Sequence, residues 1–363
     1  MLIGCLRQGL TLARDFRLDL GWLAQAAWTY VSDSVREPLT VAAHNDRPED
    51  HLETAADALV EMLSALARRQ HEHRERTADR LTAVVDTGRL PDELHEMAVY
   101  YLAKAQRDLG RSADSQQGMQ LVADSGELNA PAARRGLAHL ARSASDFPTA
   151  LDAARTLGWA GRHHRIEGDV WWPHGDMDRA AAAYEAARTE AEEHGVAGER
   201  ATSQAQRAFV LAFTDPARAD DELDLAEQLL SGLDLRATTL TTQIAALARD
   251  AGTAEVEDRA HILRTEISVA GLASVEATLE LALCFHHAVR DDHEGIAADI
   301  GRLRELTSSG DYAYYTDIAH FMADRHFHAV SGSQAQSLDG EHATRTRWHS
   351  LVTARREHLR ATP

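Results

Sequence analysis

Twenty histidines make metal binding the first chemistry to consider in this chain. Two groups are the densest. His286 and His287 are adjacent and lie close to Cys284, and His320, His326 and His328 lie within about two helical turns of each other. Zinc ligands on one helix are typically three or four residues apart, on one face. Adjacent histidines on a helix point about 100° apart, and His320 and His328 are two turns apart. The spacing therefore predicts no metal site and no cofactor.

Motifs for nucleophilic or nucleotide chemistry are absent from the sequence as well. It contains no G-x-S-x-G elbow, no HExxH and no dinucleotide fingerprint. Lys104 is the only lysine among 38 basic residues, and no glycine-rich loop precedes it, which excludes a Walker-A phosphate cradle. We therefore predict a protein without enzymatic activity.

Charge and cysteine content restrict the partners and the compartment. A formal net charge of −19 repels phosphates, so we do not expect nucleic acid as the partner. Two cysteines are too few for a disulfide framework and predict a cytoplasmic protein. No run of 18 apolar residues is present, so we expect no association with a membrane core.

Helices are the elements that this composition favours. Alanine, leucine and arginine are abundant, only eight prolines interrupt them, and alternating β-branched runs are missing. Residues 161–193 show the pattern of two short antiparallel helices, with small residues and aromatics at helical spacing on both sides of a turn at 173–176. The positions that carry this pattern are Gly168, Trp171, Ala180, Tyr184 and Ala187.

Helical hairpins recur from Asp92 onward. The first three predicted pairs are Asp92–Leu109 with Ser112–Ala123, Ala130–Ala144 with Pro148–Leu157, and Gly161–Trp172 with Asp178–His194. Later pairs are predicted to turn near Asp215-Pro216, near Gly252 and near Asp291-Asp292.

Three of these hairpins share residues at corresponding positions: Leu102, Ala103 and Gln106; Leu137, Ala138 and Ala141; Gly168 and Trp171. The pattern resembles the tetratricopeptide repeat, which has W-x2-L-G-x2-Y, then A-x3-F, then P, over about 34 residues. The resemblance implies an all-α fold, a right-handed α-solenoid of antiparallel helix hairpins, because each repeat buries its apolar face by stacking on its neighbours.

The chain is accordingly predicted to have four parts. Residues 1–90 form an N-terminal helical region that packs on the array, with about three helices: one near Leu18–Ser34, one from Glu49 to about Gln70, and a continuation to Asp86. Residues 91–330 form the repeat array, 331–341 a polar linker, and 342–363 a C-terminal helix that caps the array. An alternative role for the Arg-rich last helix is docking on a partner or on an anionic membrane.

A ligand of such an array would lie against the first helix of each pair. The residues expected to face this groove are Tyr100, Lys104, Arg107, Arg135, His139, Arg142, Arg162, Arg165, Asp169 and Trp172. Six of the ten are cationic in an acidic protein, and arginine binds carboxylates through paired hydrogen bonds. The groove is therefore expected to bind an acidic peptide, with the aromatic residues as apolar anchors. The alternative is a solvated face whose charges are neutralised by acids of neighbouring helices.

These expectations combine into a non-catalytic scaffold that binds a partner protein or an acidic peptide. An alternative is a regulatory sensor of a signal peptide or small molecule, because the irregular Ala/Arg-rich array is similar to the helical-repeat regions of bacterial STAND-type ATP/GTP-binding regulators. This chain has no module of its own for either nucleotide. Assembly into a homo-oligomer is compatible with both roles.

Overall fold

The computed structural model describes residues 52–53, 55–126, 128–323 and 338–361. Within these ranges the chain forms sixteen α-helices and no β-strand. The predicted all-α class is thus confirmed, whereas the solenoid and its handedness remain predictions. The predicted helix 18–34 and the linker residues 331–337 lie outside the described residues. No helix of the described ranges is both long enough and apolar enough to span a bilayer.

The described residues divide into two compact units. The first contains residues up to Ala133 together with Gly232–Arg236. Its helices are α1 (Ala55–Arg68), α2 (Arg74–Asp86), α3 (Asp92–Asp108) and α4 (Ser112–Ser125), and α5 (Ala130–Ser143) begins in it.

The core of the first unit joins its first three helices. Leu59 and Met62 of α1 pack with Leu81 of α2 and Met97 of α3, and all four side chains are buried. Beside them, Arg80 donates to Glu61 at 2.7 Å in a buried ion pair. Because α3 shares this core, the unit extends past residue 90, where the sequence predicted a boundary.

The second unit contains Arg134–Ser231 and the described residues from Ala237 onward. After α5 it contains α6 (Phe147–Leu157), α7 (His163–Trp171), α8 (Met177–Glu193), α9 (Ala197–Thr214), α10 (Pro216–Leu230), α11 (Arg236–Arg249), α12 (Val256–Ala270), α13 (Ala273–Arg290), α14 (His293–Leu306), α15 (Tyr314–Met322) and α16 (Glu341–Ala361).

The observed helices lie where the sequence predicted the members of the hairpins, and packing of the two members on each other is shown for some of the pairs. All six helices predicted between Asp92 and His194 begin and end within two residues of the expected positions. Pairs such as α7 with α8, α9 with α10 and α13 with α14 pack against each other. Four second helices begin after an aspartate whose carboxylate accepts a main-chain N–H of the first turn, which satisfies one donor that the helix leaves unpaired. These aspartates are Asp146, Asp176, Asp215 and Asp292.

The close approach of α7 and α8 depends on one glycine. A Cβ atom at Gly168 would lie 2.6 Å from the ring of Tyr184, which is fully buried. The predicted pairing of a small residue with an aromatic across this hairpin is therefore confirmed. Gly175 ends the intervening 3-10 turn with a φ of 71°, in the left-handed region that favours glycine.

Aromatic side chains form a continuous row through the second unit. Phe213 contacts Phe209, Phe285 and Trp348 edge-on, with ring centroids 5.0–5.4 Å apart. Cys284 lies beside this row and is fully buried, and burial, with the nearby carboxylates, raises the pKa of its thiol well above the ordinary value. Trp348 comes from α16, so the last helix contributes to the core of this unit.

Candidate functional site

Three of the ten predicted groove residues lie on α3, in the first unit. Tyr100 is buried, and its ring meets that of Tyr101 edge-on at 4.9 Å. Lys104 is half-buried, with its ammonium 6.0 Å from the Tyr101 ring, and Arg107 donates to Asp108 at 3.0 Å. Tyr100 is thus a core residue in this conformation and offers no exposed anchor.

His139 and Asp169, predicted to line the groove, meet in a polar network inside the second unit. Asp169 is buried; one carboxylate oxygen accepts the hydroxyl of Tyr184 at 2.7 Å, and the other lies 3.5 Å from Nδ1 of His139. Burial and the charge of Asp169 raise the pKa of Tyr184 well above its ordinary value, so the tyrosine remains a neutral donor. The network fixes α5, α7 and α8 together.

Arg142 and Trp172 also contact other parts of the second unit. Arg142 donates to the Tyr314 hydroxyl at 3.2 Å and lies 5.5 Å from the ring of Tyr312. Trp172 is buried, and its ring lies edge-on against Phe209 at 5.5 Å. Like Tyr100, it provides packing rather than an open anchor, and the peptide-binding role of both stays a prediction.

Arg162 and Arg165 come together around the carboxylate of Glu199, and Arg135 lies near enough to act on the charge of Arg162; we call these four residues the arginine–glutamate cluster. Nε of Arg165 lies 3.1 Å and Nε of Arg162 3.5 Å from the carboxylate of Glu199, which is at the start of α9. Burial lowers the pKa of Arg162; the charge of Glu199 opposes this, and Arg135 and Arg165 add to the lowering. Two of the predicted groove cations, Arg162 and Arg165, thus pair with one carboxylate, and Arg135 of the preceding hairpin contributes its charge.

The backbone at this cluster is strained. Arg162 has a φ of 58°, in the left-handed region that residues with a side chain seldom occupy, at a cost on the order of 1 kcal/mol. Its guanidinium lies 3.7 Å from the centre of the Trp159 ring, which stacks on His194 at 4.4 Å. The strain thus places an arginine between a half-exposed aromatic ring and a carboxylate. Strained backbone of this kind often marks functional positions.

His286 and His287 converge on one carboxylate, which their adjacency on a helix argued against. Nε2 of each histidine lies 3.8 Å from the same oxygen of Glu257. The expectation that neighbouring histidines diverge is therefore wrong here, because both rings turn toward α12. Nδ1 of His287 is held by Asp299 at 2.6 Å, an arrangement that orients histidines in metal sites.

The tautomer of His286 argues against its binding a metal ion. The main-chain N–H of Gly252 donates to Nδ1 of His286 at 3.1 Å, so a neutral ring carries its proton on Nε2. A protonated nitrogen has no lone pair for a cation, and Arg290 lies 3.9 Å from the Glu257 carboxylate. The cluster is better described as a proton donor, His286, facing an acceptor, Glu257.

A second histidine pair lies at the start of α7. His163 and His164 are half-buried with ring centroids 3.8 Å apart. Nδ1 of His163 lies 3.8 Å from Glu190, whereas Nδ1 of His164 lies 3.1 Å from Glu167 on its own helix. Each histidine thus has its own carboxylate, which favours two separate ion pairs. His326 and His328 lie outside the described residues.

Comparison with known proteins adds no identification. The chain matches no protein-family model, no curated protein and no solved structure. The similarity to tetratricopeptide repeats and to STAND-type regulators accordingly stays a prediction from the residues.

Sequence reasoning missed two features of the second unit. Tyr312, Tyr314 and Tyr315 cluster at the start of α15, where the hydroxyl of Tyr315 lies 3.3 Å from that of Thr278. The closely spaced tyrosines in 312–315 were the available signal. The second missed feature is the position of α16. The spacing of its apolar residues indicated an amphipathic helix but did not show which surface of the protein the helix covers.

Proposed function

We propose that this protein is a non-catalytic interaction protein that binds an acidic peptide segment of a partner. The observation that carries the proposal is the arginine–glutamate cluster, where Arg162 and Arg165 flank the buried carboxylate of Glu199. Glu199 shows which chemistry the site accepts, because a carboxylate between guanidinium groups is how arginine binds acidic peptides. The strained Arg162 backbone and the ring of Trp159 support the same conclusion.

The cluster has hydrogen-bond donors beyond those that Glu199 can satisfy. Two guanidinium groups carry about ten N–H donors, whereas one carboxylate offers about four acceptor positions. Arg162 directs one further donor to the carbonyl of Trp159 at 2.6 Å. A second carboxylate, from a partner, would use the remaining donors. His163, when protonated, would add positive charge beside it.

Binding of an acidic probe tests this proposal. A fluorescein-labelled peptide of glutamates with a free C-terminus is titrated with the full chain at low salt, and anisotropy is recorded. We expect Arg135→Glu with Arg165→Glu to weaken binding by roughly tenfold or more, because attraction becomes repulsion. Binding should also fall as salt rises, since the contacts are charged.

A matched control separates the cluster from net charge. Arg155 and Arg179 are 65% and 58% exposed, and reversing both changes the net charge of the chain by the same amount. Circular dichroism establishes that each variant is folded. Equal loss of binding in both double variants would show that the peptide responds only to overall charge, and the cluster would no longer be the site.

A further inference from the structure

Helix α16 lies against the first helices of several hairpins. It packs on α9, α13 and α15 and on the 3-10 turn that follows α7. The indole of Trp348 donates to the carbonyl of Pro173 in that turn at 2.9 Å. α9 and α13 each open a hairpin and the 3-10 turn directly follows α7, so α16 lies against elements that come first in their hairpins.

Arg355 binds main-chain carbonyls at the ends of two helices. Its guanidinium donates to Ala212 of α9 at 2.6 Å, and to Ala248 and Arg249 of α11 at 3.2 and 2.6 Å. These carbonyls belong to the last turns of their helices, which carry the negative end of the helix dipole. The side chain is 3% exposed, so the helix ends accept a dehydrated cation.

Arg356 makes the same contact with a third helix. Its Nε donates to the carbonyl of Ala288 in the last turn of α13 at 3.0 Å, and its terminal nitrogen lies 3.1 Å from Asp291. The ends of α9, α11 and α13 therefore form a row of carbonyls that two consecutive arginines bind. We call these carbonyls, together with that of Pro173, the carbonyl row.

Only a narrow stripe of α16 is buried. Thr344, Trp348, Val352 and Arg355 face inward, about one helical turn apart, whereas residues 353, 354 and 357–361 are exposed. Two large buried apolar side chains are few for a helix of 21 residues. A single stripe anchored at i, i+4 and i+7 is the way in which a helical peptide binds a groove.

We propose that the carbonyl row and the adjoining rings of Phe209, Phe213 and Phe285 form a binding site for an amphipathic helix of a partner protein, and that α16 is the occupant supplied by this chain. The fitting helix has a large aromatic residue, an aliphatic residue four positions later and arginine at positions seven and eight, as Trp348, Val352, Arg355 and Arg356 do in α16. The acceptors are main-chain groups, so they select arginine by geometry and the negative helix ends. This site goes beyond the acidic-peptide site and lies at the opposite ends of α7 and α9.

A free helix must compete with α16, which belongs to the same chain as the carbonyl row. Covalent connection gives a segment a high effective concentration, in the millimolar range when the connection is short and flexible. A partner helix at micromolar concentration is therefore at a disadvantage of roughly a thousandfold against an equally good α16. Weakening the contacts of α16 without changing the carbonyls should admit the free helix.

A labelled peptide with the sequence of residues 341–361 is the probe. It is titrated with the full chain and with Arg355→Ala, and anisotropy gives the apparent Kd. We expect the variant to bind the peptide at least tenfold more tightly than the wild type, because its own helix competes less well while the carbonyls are unchanged. Arg360→Ala is the control, since Arg360 is exposed on the same helix, and it should bind as the wild type does.

Two further measurements keep the proposal falsifiable. A peptide that carries Trp348→Ala should lose most of the binding, which shows that the inward stripe is recognised. If Arg355→Ala unfolds, Arg356→Ala replaces it, because that side chain is 30% exposed. Equal affinity of wild type and variant, or no binding to a folded variant, would show that α16 is a fixed part of the fold. Light scattering that shows a dimer without peptide would make a second copy the occupant and overturn the assignment.

Discussion

The two ends of α7 and α9 use arginine in opposite ways. At the first ends, Arg162 and Arg165 are half-buried and face the side-chain carboxylate of Glu199. At the other ends, Arg355 is buried, contacts main-chain carbonyls and lies 5.5 Å from the ring of Phe285. Desolvation lowers the pKa of Arg355 to about 10, so it still carries its charge at neutral pH.

Because the arginines have different acceptors, the two ends are suited to different partners. The Arg162 and Arg165 side chains are still 18% and 16% exposed, so water screens their pairs with Glu199 and each pair contributes less than a fully buried one would. A buried cation that caps helices is costly to remove, because its carbonyl partners lose charged donors of about 1.5–3 kcal/mol each. The first end is therefore suited to binding a soluble acidic segment, and the second to holding a helix.

Trp348→Ala should give the largest effect at the second end. The side chain is fully buried against Phe213 and donates to Pro173, so the variant loses burial, leaves a cavity and removes a hydrogen bond. We expect a loss of about 4 kcal/mol in the free energy of unfolding, measured in urea. Trp348→Phe, which retains most of the packing, should lose about 1 kcal/mol. Equal losses would mean that packing contributes little.

Arg355→Ala compared with Arg165→Ala tests the contrast between the two ends directly. We expect about 3 kcal/mol of lost stability for Arg355→Ala, because several main-chain acceptors lose a charged donor. For Arg165→Ala, whose partner Glu199 keeps Arg162 nearby, we expect at most about 1 kcal/mol. Urea unfolding of both variants at one pH measures the two losses. A larger loss for Arg165→Ala than for Arg355→Ala would contradict the roles assigned to the two ends.

The pH dependence of stability tests the second end further. Leu359 of α16 packs over Gly252, whose N–H donates to His286, so His286 titrates close to that helix. Burial, with the charges of His287 and Arg290, lowers the pKa of His286 to about 4. The unfolded chain takes up this proton near pH 6.5 but the folded chain only near 4, so stability falls as pH drops across that interval, by up to about 3 kcal/mol.

His286→Asn isolates this contribution. The asparagine amide oxygen still accepts the N–H of Gly252 but does not titrate, so its stability should decline less between pH 6.5 and 4 than that of the wild type. The pKa of His287 is raised: burial opposes this, but the hydrogen bond and charge of Asp299 outweigh it. The stabilisation that His287 provides is complete below pH 6.5 and is lost above it. His287 therefore does not change the stability between pH 6.5 and pH 4. Identical pH profiles for wild type and variant would refute the assignment.

Gly168→Ala tests the hairpin that connects the two ends. A Cβ there would lie 2.6 Å from the Tyr184 ring, so we expect a loss of about 2 kcal/mol despite the better helix propensity of alanine. Gly301→Ala is the matched control, since it also lies within a helix but has no atom within 4 Å of its added Cβ. It should stabilise the protein by up to about 1 kcal/mol. Thermal or urea unfolding of both variants measures the difference.

Local chemistry made the hairpins predictable from the sequence. Aspartate caps, turn glycines and the small-residue spacing around Gly168 act within a few residues, so they can be read without knowing the fold. The groove residues were less predictable. Trp172 follows the last residue of α7 and enters the 3-10 turn, so a helical offset no longer gives its direction. Asp169 is covered by His139 and Tyr184, which come from other helices.

The position of α16 depended on contacts distant in sequence. The stripe of Trp348 and Val352 indicated a buried face, but the acceptors of Arg355 are main-chain carbonyls, which every residue possesses. No pattern of residue types could therefore point to Ala212 or Ala248 as partners. The same holds for His286, whose tautomer is determined by the N–H of Gly252.

The buried thiol of Cys284 gives the second unit an internal reporter. Its position beside Phe285, with a pKa raised by burial, makes it unreactive toward thiol reagents until α13 becomes accessible to water. In a chain with Cys5 replaced by serine, the rate of colour development with an aromatic disulfide equals the frequency of such openings once the rate no longer rises with the reagent concentration. Cys284 thus reports the opening of the second unit without any added label.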